Sequence, residues 1–158
     1  MRTSRCGVFV ALTIMSISLF GAAPAPAGAK SSPSSTEHCS LEIVGVNEDG
    51  SYETGPLVCD TTPTAAARAS GVSAMSTIAT HYEGFNFTGD SLSIAGGSCN
   101  GGWLNLPPAW RDRIASTVSG CTTRHYAGTN LSGTQQSLSS PGGNLTVLAF
   151  DTHSVKYD

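Results

Sequence analysis

The chain has little charge. Its 158 residues include eight Lys and Arg and eleven Asp and Glu, 12% in all. No basic stripe exists, which excludes nucleic acid as a partner. Apolar runs are short too. The longest, Gly7–Phe20, falls below the roughly 20 residues a membrane span needs. Cys-x-x-Cys pairs are missing, so a zinc site has no signature. His-Glu-x-x-His is absent, and Gly96-Gly97-Ser98-Cys99-Asn100 departs from the nucleophile-elbow pattern at its last position. The histidines, His38, His81, His125 and His153, are scattered, and the acids form no acid–base pair. These absences predict a protein that is not an enzyme.

What is present begins with a targeting pattern. Arg2 and Arg5 precede the apolar run, and Ala27-Gly28-Ala29 follows it as a small-x-small cleavage site. Residues 1–29 read as a secretory signal peptide, with a secreted, extracellular chain beginning near Lys30. Cys6 precedes the apolar run and so is not a lipidation site. The remainder carries six basic and eleven acidic residues, a net charge of −5. Four cysteines remain, with three connectivities open. Cys39–Cys59 and Cys99–Cys121 are favoured, because each pair falls inside one structural unit. Each would close a loop of about twenty residues and add about 3 kcal/mol. A small domain needs such support.

Residues 30–38 are rich in Ser and Pro and read as a disordered leader. Residues 39–75 read as a β-hairpin and a short helix. Leu41–Val46 is the first strand, Asn47-Glu48-Asp49-Gly50 the turn, and Ser51–Val58 the return. The cysteines Cys39 and Cys59 then sit at the open end. Thr62 is the expected helix N-cap, with Pro63 at the first position and Gly71 closing the helix. From Ser76 onward the pattern is β. Thr77–Tyr82, Ser91–Ile94, Trp103–Leu106 and Ile114–Val118 form one set of strands. Thr123–Tyr126, Gln135–Ser139, Leu145–Leu148 and Ser154–Tyr157 form the second. Two sets of four predict two Greek keys packed as a β-sandwich, an all-β fold.

An internal repeat supports that architecture. Tyr82-Glu83-Gly84-Phe85-Asn86-Phe87-Thr88-Gly89 returns as Tyr126-Ala127-Gly128-Thr129-Asn130-Leu131-Ser132-Gly133, at a constant offset of 44 residues. One small β unit is used twice. The pattern resembles the β/γ-crystallin double Greek-key motif, over about residues 76–120 and 121–158. In that family the aromatic and the glycine hold a folded-over hairpin. Tyr82, Phe87 and Gly89 match it, as do Tyr126 and Gly133, with Leu131 replacing the second aromatic. The resemblance extends in fold to secreted actinomycete proteins, the streptomycete metalloproteinase inhibitors and killer-toxin-like proteins.

Many members of that family bind calcium through Asn/Asp, Asn/Asp, two variable residues, Ser/Thr, Ser. Such oxygen ligands suit a hard cation. Here the first copy is Arg111-Asp112-Arg113-Ile114-Ala115-Ser116. Asp112 and Ser116 agree, Ala115 lacks the hydroxyl, and two guanidinium groups flank the site. In Phe150-Asp151-Thr152-His153-Ser154-Val155, counting Asp151 as second places Ser154 on the hydroxyl position. Calcium, the only implied cofactor, is expected to bind weakly or not at all. His81 and His125 are expected to point outward at equivalent strand positions, and Trp103 and Trp110 to pack in the core. The sequons at Asn86, Asn130 and Asn144 fall in Greek-key turns. The resemblance implies a secreted, monomeric binding or structural module whose partner is an unidentified extracellular protein. The alternatives are an extracellular peptidase inhibitor and a killer-toxin-like antimicrobial protein.

Overall fold

The computed structural model describes residues 35–70 and 77–158. The expected signal peptide, most of the leader and Gly71 lie outside them. Two sheets form the fold. The larger has seven strands and the smaller four. The first repeat supplies β4 (Thr77–Tyr82), β5 (Ser91–Ala95), β6 (Gly102–Asn105) and β7 (Ser116–Ser119). The second supplies β8 (Thr123–Tyr126), β9 (Gln135–Leu138), β10 (Gly142–Asn144) and β11 (Ser154–Tyr157). Third strands are exchanged: β6 joins the sheet of the second repeat and β10 that of the first. The fold is therefore the double Greek-key sandwich expected from the repeat.

Alternation explains the core. Leu92 and Ile94 on β5, Leu104 on β6 and Val155 and Tyr157 on β11 are all buried between the sheets, as period-two strands require. Trp110 is buried beside them, whereas Trp103 is half-buried and donates its indole N–H to Asp49 O. Each fully buried large apolar side chain contributes about 1.5–3 kcal/mol.

The N-terminal elements extend the larger sheet. β1 (His38–Val46) lies parallel to β5, from His38 opposite Ser91 to Glu42 opposite Ala95. Glu37, at the end of the expected leader, is held there too: its N–H donates to Asp90 and its carbonyl accepts from Ser91 N. The single return strand expected over Ser51–Val58 is instead two, β2 (Tyr52–Thr54) and β3 (Val58–Asp60). Gly55-Pro56 breaks it, because proline gives no N–H to the ladder. Cys39 sits directly opposite Cys59 and is bonded to it, while Cys99 is bonded to Cys121. Helix α1 spans Pro63–Ala69, and Thr62 Oγ1 accepts the Ala65 N–H as N-cap.

A second departure concerns the third strand of the second repeat. It is Gly142–Asn144, not Leu145–Leu148. The backbone turns because the N–H groups of Thr146, Val147 and Leu148 all converge on Gln136 Oε1, at 3.0, 2.9 and 3.1 Å. The first repeat solves the same turn differently. Leu92 takes the place of Gln136, and Pro107-Pro108 take the turn, so there are fewer N–H groups to satisfy. Gln136→Leu should therefore leave the part-buried Leu148 N–H without its partner, water taking the two exposed ones, and cost about 1 kcal/mol. Urea unfolding of the variant measures this, and an unchanged midpoint would show that solvent satisfies the turn without Gln136.

Candidate loop sites and the buried histidine pair

Each repeat begins with a folded hairpin clamped by one serine. Ser116 Oγ donates to Gly84 O at 2.6 Å and accepts the Phe87 N–H at 3.0 Å. Ser154 Oγ donates to Gly128 O at 2.7 Å and accepts the Leu131 N–H at 3.1 Å. The clamp holds an uncommon backbone. Asn86, Phe87, Asn130 and Leu131 all have φ between 55° and 63°, which costs about 1–2 kcal/mol for a residue with a Cβ. Gly89 and Gly133, at φ 80°, carry the left-handed conformation without that cost. Tyr82 packs edge-on against Phe87, with ring centroids 5.9 Å apart. Tyr126 is buried at the equivalent place.

Two features of the hairpins escaped the sequence reading although they repeat in it. Gly84 and Gly128 are sites of close approach: a Cβ would lie 2.8 Å from Thr88 O in one and 3.0 Å from Ser132 O in the other. The motif asparagines are paired across the exchanged strands. Asn86 and Asn144 share two amide hydrogen bonds, and Asn130 and Asn105 repeat the arrangement.

The serine clamps fix the register of the calcium-like segments. Ser154 stands where Ser116 stands, so Phe150 corresponds to Asp112 and His153 to Ala115. Reciprocal bonds confirm the pairing: Asp112 N–H donates to Thr152 O, and Phe150 N–H to Ile114 O. Asp112 and Phe150 both have positive φ, 58° and 61°. Counting Asp151 as the second position and Ser154 as the hydroxyl ligand is thus corrected by one place each: Asp151 is third and Ser154 sixth. The second repeat is shorter between tyrosine and serine, which hides the register. Asp151 is exposed at the position of Arg113. Neither serine offers a free hydroxyl.

The two loop sites then differ. At one, Asp112 Oδ1 lies 2.8 Å from His153 Nε2. A nitrogen base from the other repeat occupies the hydroxyl position and is bonded to the carboxylate. At the other, Phe150 replaces the acid and Ala115 the hydroxyl, and Phe85 packs edge-to-face on Phe150 at 5.7 Å. Glu83 is drawn to Arg113, which also binds Asp90. The second donor set does not fit calcium. The first keeps one carboxylate, already engaged by the imidazole.

The histidines expected on the surface are in the core. His81 and His125 are fully buried, edge-to-face at 5.4 Å, across the gap between the two sheets. His81 contacts Thr117 Oγ1 and the Tyr157 hydroxyl, both at 2.9 Å, and His125 Nε2 lies 3.3 Å from the same threonine. Alternation drives them inward: neighbouring Arg124 takes the outer face of β8, where it pairs with Asp158. Burial holds His81 at a pKa of about 3. Burial, and then His81 itself, holds His125 well below the ordinary imidazole range. Both are neutral and shielded from solvent, which removes them from catalysis.

No family model matches the chain, and no curated protein matches it. Among solved structures, a β/γ-crystallin domain from Clostridium beijerinckii is 27% identical over 51% of this chain and 97% of its own, with a TM-score of 0.42. An archaeal β/γ-crystallin is 19% identical over 52% of this chain and 99% of its own, with a TM-score of 0.41. Hahellin, a β/γ-crystallin, is 22% identical over 51% and 90%, with a TM-score of 0.40.

Two expectations follow. Ser116→Ala or Ser154→Ala removes a donor and an acceptor from a strained hairpin and should cost about 1–3 kcal/mol each in chemical unfolding; loss of neither would mean the hairpins stand unclamped. Unfolded histidines titrate near 6.5, whereas the buried pair stays neutral far below that. The unfolded chain therefore binds more protons as pH falls below about 6.5, and stability drops toward pH 3. Between pH 7 and pH 5 the loss should be about 2 kcal/mol for His81, with a further loss of the same sign from His125. His125→Gln should reduce the histidine part of that slope, as denaturant titrations at several pH values would read.

Proposed function

We propose that this protein is a secreted, disulfide-stabilised, non-enzymatic module of β/γ-crystallin type that acts by binding or as structure, with vestigial calcium sites. One observation carries the reading. The residues that hold the fold stand in both copies, while three of the four ligand positions hold Phe150, Ala115 and His153 and the fourth, Asp112, is bonded to His153. The two disulfides support export. Among the described residues, no helix is long and apolar enough to cross a membrane.

The test is a thermal melt with and without millimolar calcium, since a ligand that binds only the folded state raises the melting temperature. The natural sequence should melt at the same temperature in both. Phe150→Asp combined with Ala115→Thr should acquire a calcium-dependent rise. A rise in the natural sequence would overturn the vestigial assignment.

The peptidase-inhibitor reading draws on the exposed Phe85 and Phe150, which sit edge-to-face on loops with fixed backbones. Rigid presentation lowers the cost of ordering on binding. Thermolysin-like and serine peptidases should slow at micromolar protein if this holds; unchanged rates reject it.

A further inference from the structure

Strand β1 outruns its neighbour. Its last partner on β5 is Ala95, opposite Glu42, yet the strand continues through Ile43 to Val46. On its other side that stretch is taken by β2. On the β5 side the chain turns away at Gly96, and the loop to Asn100 leaves a groove of about 340 Å³ against β1. Ile43, Val44, Val46, Gly96, Gly97 and Asn100 line it. The groove lies where β5 would continue, and an open strand edge is a template for another strand.

The walls are already set. The Tyr52 hydroxyl donates to Ser98 O at 2.8 Å, and the Cys99–Cys121 bond ties down the loop. Gly97 packs directly on Ile43 and Ile78, with no room for a Cβ, which fixes the loop against β1. Val44 and Val46 are 57% and 60% exposed at this edge. The charge carried by β1, β2 and the turn between them is of one sign. From Leu41 to Thr54 the chain carries Glu42, Glu48, Asp49 and Glu53 and no Lys or Arg. The Glu53 carboxylate reaches over Gly45, its Oε2 3.0 Å from where a Cβ would stand. Glu42, Glu48 and Glu53 form no ion pair among the described residues. A second copy of the chain would set acid against acid, a repulsive arrangement.

We infer that this groove docks an extended segment of a partner protein, with apolar and basic residues alternating, as an added strand in line with β5. Backbone hydrogen bonds to the edge, unpaired there among the described residues, supply affinity, Val44 and Val46 take the apolar side chains, and the glutamates take the basic ones. The inference rests on the reading of the chain as a binding module.

A fluorescein-labelled Lys-Val-Lys-Val-Lys-Val peptide, titrated by anisotropy into the disulfide-intact protein, tests it. The expected result is saturable binding that weakens at least tenfold with Val44→Lys or Val46→Lys, both at exposed positions. The Glu-Val counterpart and a backbone N-methylated peptide should not bind. Absence of saturable binding overturns the inference, as does equal binding of the N-methylated peptide. Binding that survives both valine substitutions rejects the groove while leaving the module reading in place. A concentration-dependent dimer that Val44→Lys dissociates would assign the edge to a second copy and also overturn it.

Discussion

The serine hydroxyl at the end of each repeat is the contact on which the rest depends. It binds one carbonyl and one N–H of a hairpin at the other end of the same repeat. Without it, a bulky residue at positive φ has no compensation for its strain. With it, the aromatic–glycine hairpin folds over and the strand that follows enters the sheet in a single register. The same serine fixes where Asp112 and Phe150 fall, so the loop sites inherit their geometry from the clamp.

The two copies of the clamp have kept their partners while the loops around them have diverged. One loop joins the repeats through Asp112 and His153, the other through Phe85 and Phe150. The first is polar, the second apolar. Each supplies a contact between the two calcium-like segments, or between one of them and the hairpin beside it.

Much of this was legible in the sequence. The tyrosines, Gly89 and Gly133 repeat at one offset, and alternation marked most strands. The cysteine pairs lay within units. The calcium register was not legible, because a length difference between the repeats moves Ser154 relative to Tyr126, and only hydrogen bonds identify it with Ser116. The turn at Thr146–Leu148 depends on Gln136 side-chain chemistry that no strand pattern encodes. The motif tyrosines beside His81 and His125 do not mark the face of the strand, and both histidines lie inside. Arg124, beside His125, carried the better signal, since a charged neighbour on a strand sends the next side chain inward.

The exchange of β6 and β10 between sheets makes each repeat depend on the other. A duplication is visible in the sequence, but neither copy is a free-standing unit in energy. A lone repeat would present its third strand with no sheet to enter and would leave a gap in its own. Two identical copies remove both defects by trading strands across a dyad. A chain with one repeat alone would need a second copy to complete its sheets. With both halves in one chain, corresponding turns need not be identical, and a Pro107-Pro108 turn stands where the other repeat has a turn capped by Gln136.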